Sequence, residues 1–153
     1  MPMKSLFLVG LSATLVLSIT NSDCGRKPND ACGAFFRLSA QQQEIEFRKY
    51  PLGKQLVLYK CGMRLHPKTI GFAYLIAEDQ STVPNLIDSV KNEPDEYIKT
   101  DLIYIFEVLA NRGELKGRHD VERQLQNIVS TMHGEAKERA AQSLLRISQS
   151  IAQ

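Results

Sequence analysis

Between residues 39 and 151 the apolar side chains recur every three or four positions. That is the spacing of helices that each bury one stripe. The stretch 81–113, STVPNLIDSVKNEPDEYIKTDLIYIFEVLANRG, organises the rest. Its first half places Val83, Leu86, Ile87 and Val90 on one face. Ser81 or Thr82 is expected to cap this helix, and Pro84 suits its first turn, where a missing N–H costs nothing. Pro94 separates it from a second helix and suits that helix's start. There Ile98, Leu102, Ile105, Phe106 and Leu109 share a face, and Gly113 is expected as a left-handed stop. Residues 102–106, LIYIF, would pass for a strand alone. The flanking helix signals and the longer stripe favour helix.

The same period predicts five more helices. Ser39 and Gln42 match a capping box before a helix over 41–50. Leu52, Leu56, Tyr59 and Met63 form the next stripe, widened by Val57, Leu58, Cys61 and Leu65. Ile70, Ala73, Tyr74 and Ala77 mark a helix opening at Pro67. A polar link over 114–118 leads to Asp120, expected as a cap, and to Val121, Leu125, Ile128, Val129 and Met132, with Gly134 as the stop. Ala136, Ala140, Leu144, Ile147 and Ile151 mark the last helix, with Ala141 and Leu145 beside them. The expected fold is all-α, with six to seven helices over 39–152.

Residues 1–22 read as an export signal. Lys4 supplies positive charge, 6–19 an apolar core too short to span a bilayer, and Thr20 and Ser22 small residues before a cleavage site. The expected location is the periplasm, the cell envelope or the medium. Membrane contact is expected only through this segment, if it is retained or lipidated. Cys24 stands where a lipoprotein carries its acylated cysteine, but Asp23 before it departs from that motif. Residues 23–38 read as a flexible tether. A Cys24–Cys32 disulfide would close a small loop there; with Cys24 lipidated, Cys32 would pair with Cys61 instead. Unpaired, Cys61 is a small buried hydrophobe.

The composition narrows the function. With 153 residues, 43% apolar and 24% charged, the chain is one ordinary globular domain. Its net charge of +2, without a basic cluster, argues against nucleic acid. The absence of Trp and 7% aromatics argue against a stacking platform.

The two halves of the helical region align with each other. Ile98, Leu102, Ile103, Phe106 and Leu109 match Ala136, Ala140, Ala141, Leu144 and Ile147 at a shift of 38, and Leu86 and Val90 match Leu125 and Val129 at a shift of 39. A period near forty is that of helix-pair repeats. TIGFAYLIAEDQSTVPNLIDSVKN, YIKTDLIYIF and EAKERAAQSLLRI carry the resemblance. Over about 67–151 the chain resembles the HEAT-like (armadillo-type) helical repeat family, with Ile98-Lys99 and Ala136-Lys137 in that family's Val-Arg places. The resemblance implies a short right-handed stack of antiparallel helix pairs that binds protein partners. It also implies a concave face lined by the second helix of each pair, here Asn85, Asp88, Ser89, Arg123, Gln124 and Asn127.

Chemistry is sparse. No phosphate loop, nucleophile elbow or zinc motif is present, and no cofactor or metal is expected. His66 and His133 read as polar residues at helix ends. His119 and Glu122, three apart, are the one pair from which a small hydrolase-type enzyme would be built. The acids Glu93, Asp95, Glu96 and Asp101 read as a solvated helix start, the alternative being an acid-base dyad. The expectation is a non-enzymatic exported module for protein–protein interaction or envelope scaffolding, with a membrane-tethered lipoprotein as the alternative.

Overall fold

The computed structural model describes residues 30–65 and 67–152. The export signal, Cys24 and His66 lie outside the described residues. Among those described there are eight α-helices and no strand: α1 (Asp30–Phe36), α2 (Ala40–Lys49), α3 (Leu52–Leu65), α4 (Gly71–Ile76), α5 (Val83–Asn92), α6 (Glu96–Asn111), α7 (His119–Ser130) and α8 (Gly134–Ile151). Short 3₁₀ turns at Pro67–Ile70 and Gln80–Thr82 lead into α4 and α5.

α6 sits at the centre. It packs against α3, α4, α5 and α8, while α7 packs on α5 and α8. Ile98, Leu102, Ile103, Ile105, Phe106 and Leu109 are all buried. The LIYIF segment is helical, as its stripe predicts. Asp95 caps α6 by accepting from the Tyr97 and Ile98 N–H groups, and its flanking loop, not the helix, holds Pro94. Gly113 (φ 77°) ends α6 in the left-handed region, where its N–H reaches the Ala110 carbonyl.

α6 and α8 run side by side in the same direction. Near their starts, the Thr100 hydroxyl donates to the Ala136 carbonyl (3.1 Å) and Glu96 accepts from the His133 N–H (3.0 Å). Near their ends, Arg146 donates to Glu107 (3.0 Å) and Ser150 to Asn111 (3.4 Å).

The N-terminal third joins this body through aromatic packing. Phe47 and Phe72 stack with centroids 4.4 Å apart, and Phe35 meets Phe36, Phe47, Tyr50 and Phe72 edge-on or tilted. Of the tether expected over 23–38, residues 23–29 lie outside the described residues and the part from residue 30 on is docked. Residues 30–36 are helical, because Cys32 and Phe35 find a core to bury against. Among the described residues Cys32 and the half-buried Cys61 form no disulfide with each other, so the expected Cys32–Cys61 bond is absent.

Other expectations shift in detail. The Ser39–Gln42 capping box forms as predicted. Asp79, not Ser81 or Thr82, caps the turn before α5, accepting from the Ser81 N–H at 2.9 Å. Asp120 is not the N-cap of α7: the helix begins one residue earlier, and Arg118 holds the Asp120 carboxylate. Gly134 (φ 56°) opens α8; α7 has already ended at Ser130. Val57, Ile70, Tyr74, Ala141 and Leu145 are exposed. Around α4 the buried positions are Phe72, Ala73, Ile76 and Ala77, so Ala73 and Ala77 of the expected stripe are buried while Ile70 and Tyr74 face solvent. Leu115, in the link read as polar, is fully buried.

Candidate functional site

α5 and α7 are neighbours, so the six residues expected to line a binding face lie on adjacent helices. Asn85, Asp88, Arg123, Gln124 and Asn127 are exposed, and Ser89 is half-buried. The Ser89 hydroxyl turns back to the Asn85 carbonyl (2.8 Å), and the Gln124 amide leans on the Asp120 carbonyl (3.4 Å). Among the described residues, the side chains of Asn85, Asp88, Arg123 and Asn127 have no partner. Two amides and one charge of each sign therefore remain free to bond a partner surface. Such a set offers donors and acceptors for hydrogen bonds.

His119 and Glu122 do meet, Nδ1 to Oε2 at 3.2 Å, with the imidazole mostly in water. Hydrogen bonding from Ser148, then from His119, holds the Glu122 carboxyl below its ordinary range. Its other oxygen accepts from Gln126 (3.3 Å). A carboxylate stabilised in its charged form is a weaker base. Among the described residues no group of three His, Cys, Asp or Glu side chains is placed to hold a metal.

Of the acids at 93–101, Asp95, Glu96 and Asp101 stay part-exposed at the helix start, while Glu93 leaves the solvent. Glu93 is buried, pairs with Lys60 of α3 at 2.8 Å and accepts from the Asp95 N–H. Glu96 bonds His133 twice, through the backbone N–H and through Nδ1 at 3.1 Å, and those bonds hold its carboxyl below its ordinary range. Tyr59 donates to the Asp101 carbonyl (3.1 Å), and burial pushes its hydroxyl pKa up. The Glu93 and Glu96 carboxylates thus tie elements together, whereas Asp101 does so through its backbone. Asp120 is paired with Arg118 at two 2.9 Å contacts, which lower its carboxyl to about 2.

A cleft of about 420 Å³ opens between the start of α2 and α4, lined by Leu38, Ala40, Gln43, Glu44, Gly71, Phe72 and Leu75. Its polar groups are already engaged: the Gln43 amide on the Phe36 and Leu38 carbonyls, Glu44 on Arg48.

A row across α4, α6 and α8 was missed in the sequence. The hydroxyls of Tyr104 and Tyr74 lie close together, and the influence of Tyr74, then burial, pushes the Tyr104 pKa up to about 12. One turn on, Glu107 is buried with one oxygen on Arg146. Its signal was the single charge inside LIYIFEVLA.

Among the described residues no helix is long and apolar enough to cross a membrane. Comparison with models of known protein families, with curated proteins and with solved structures gives no match.

Proposed function

We propose that the protein is an exported, all-helical repeat module that binds another protein or serves as a structural part of the cell envelope, without covalent chemistry of its own. Export rests on residues 1–22, and the HEAT-like stack on one observation of register. The bonds joining α6 to α8 link residues 36, 37 and 39 apart, and Arg112 reaches the Tyr74 carbonyl of α4 across 38. These separations repeat the period found in the sequence. A chain built of stacked helix pairs brings equivalent positions together in this way, since each pair buries its stripe only on its neighbour. The α5–α7 face, with Asn85, Asp88, Arg123 and Asn127 unspent, is the partner surface.

Two measurements test this. Mass spectrometry of the mature N-terminus is expected to give a chain starting at Asp23; diacylglycerol on Cys24 identifies the lipoprotein alternative, and an intact residue 1 overturns cleavage. Affinity capture from the envelope fraction is run with the wild type and with Asp88→Arg/Arg123→Glu. The reading expects specific partners that the folded variant loses, and identical capture by both contradicts the assigned face.

A further inference from the structure

Glu107, like Glu93, is a buried carboxylate, at 6% exposure, and only half of its bonding capacity is used. Arg146 Nη1 donates to one oxygen at 3.0 Å. The other oxygen, Oε2, is buried without a partner. Buried acceptors are nearly always satisfied, so an orphan carboxylate oxygen is a departure that asks for a reason. A guanidinium and a carboxylate can form two parallel bonds, and Arg146 makes only one. The Arg146 side chain is 59% exposed, so its hold on Glu107 is weak and readily exchanged.

The neighbourhood fits a flat cation. Tyr104 lies one turn before Glu107 on α6, and its hydroxyl is near enough to Tyr74 and Glu107 for both to push its pKa up. Tyr74 as a residue is 52% exposed. Tyrosine faces attract cations, and the guanidinium stacks on them better than the compact, strongly hydrated ammonium of lysine.

We infer that Glu107, with Tyr104 and Tyr74 beside it, receives the guanidinium of an arginine presented by a partner protein. By displacing the exposed Arg146, the incoming fork takes both carboxylate oxygens, including Oε2, which is sealed from solvent while Arg146 stays in place. This site uses other helices than the α5–α7 face. A small probe reads it without any partner in hand, so its failure and the failure of the proposed function are separable.

The test is a titration of the full mature chain with acetyl-arginine-amide, followed by the ring resonances of Tyr74 and Tyr104. Saturable shifts at millimolar probe are expected. Arg146→Ala removes the internal competitor and should tighten binding by about two- to fivefold. Glu107→Gln keeps the shape, loses the charge and should weaken binding by about tenfold or more. Acetyl-lysine-amide should produce markedly smaller shifts. The inference is overturned by absent or non-saturating shifts in Arg146→Ala, by equal binding to a folded Glu107→Gln, or by an equal response to the lysine probe.

Discussion

Glu107 and Arg146 stand 39 positions apart in the chain and meet at 3.0 Å across α6 and α8, one side chain buried and the other mostly in water. Such a pair contributes little to stability, because desolvating the carboxylate offsets most of its attraction to an exposed arginine. Glu107→Leu is therefore expected to leave stability unchanged or to raise it by about 1 kcal/mol. Arg146→Ala, which strands the buried charge, is expected to cost about 1–2 kcal/mol. Urea unfolding of both variants checks this. A loss well above 2 kcal/mol for Glu107→Leu would make Glu107 a structural residue.

Gly62 has no room for a side chain. A Cβ there would overlap the Thr69 side chain and sit 2.6 Å from Cζ of Phe36. The contact brings α3 against α1 and the turn before α4. Gly62→Ala is expected to destabilise by about 1–3 kcal/mol, despite the better helix propensity of alanine. Gly53→Ala, in the same helix with nothing within 4 Å, is the control and should be neutral or stabilising. Equal midpoints for the two variants would show that α1 does not pack where described.

Leu102 and Leu125 are fully buried, on α6 and α7. Truncation of either to alanine should cost about 2–5 kcal/mol, and aspartate at either position should prevent folding. Thermal melting followed by far-ultraviolet circular dichroism reads both outcomes. An unchanged melt for Leu102→Asp would invalidate the assigned faces.

Glu96 caps α8 from another helix, and its bonds to His133 depress its folded pKa. A depressed carboxyl pKa stabilises the fold above the unfolded value, about 4.3, and that contribution is lost as pH falls through the lower folded value. Glu96→Gln should therefore be less stable than the wild type at pH 7, and the difference should vanish in acid. Chemical unfolding of both proteins between pH 7 and pH 2 follows it. A difference that grows in acid would contradict the cap.

Much of this architecture was readable in the chain. The stripes of α5, α6 and α7 and the Ser39–Gln42 box announce themselves through spacing alone, because amphipathic helices against one core leave a periodic mark. What escaped depends on tertiary context. α1 has few residues and no clear stripe, and it folds because Phe35 finds Phe47 and Phe72. Leu115 is buried from a turn, where no period exists to flag it. Glu93 and Glu107 look like surface charges until Lys60 and Arg146 are brought to them from other helices. The α5–α7 face was readable as polar positions, but which of its groups stay unbonded is a matter of geometry.

Parallel packing of α6 and α8 at one repeat is the claim on which the stack depends. It is tested by disulfide trapping in a chain with its own cysteines replaced by serine or alanine. Asn111→Cys/Ser150→Cys, at the two helix ends that meet, is expected to cross-link within the monomer under mild oxidation and to raise the melting temperature. Glu96→Cys/Ser150→Cys, which joins a start to an end, is expected to remain reduced. Cross-linking of the second pair and not the first would mean that the helices run in opposite directions, and the stacked arrangement would be wrong.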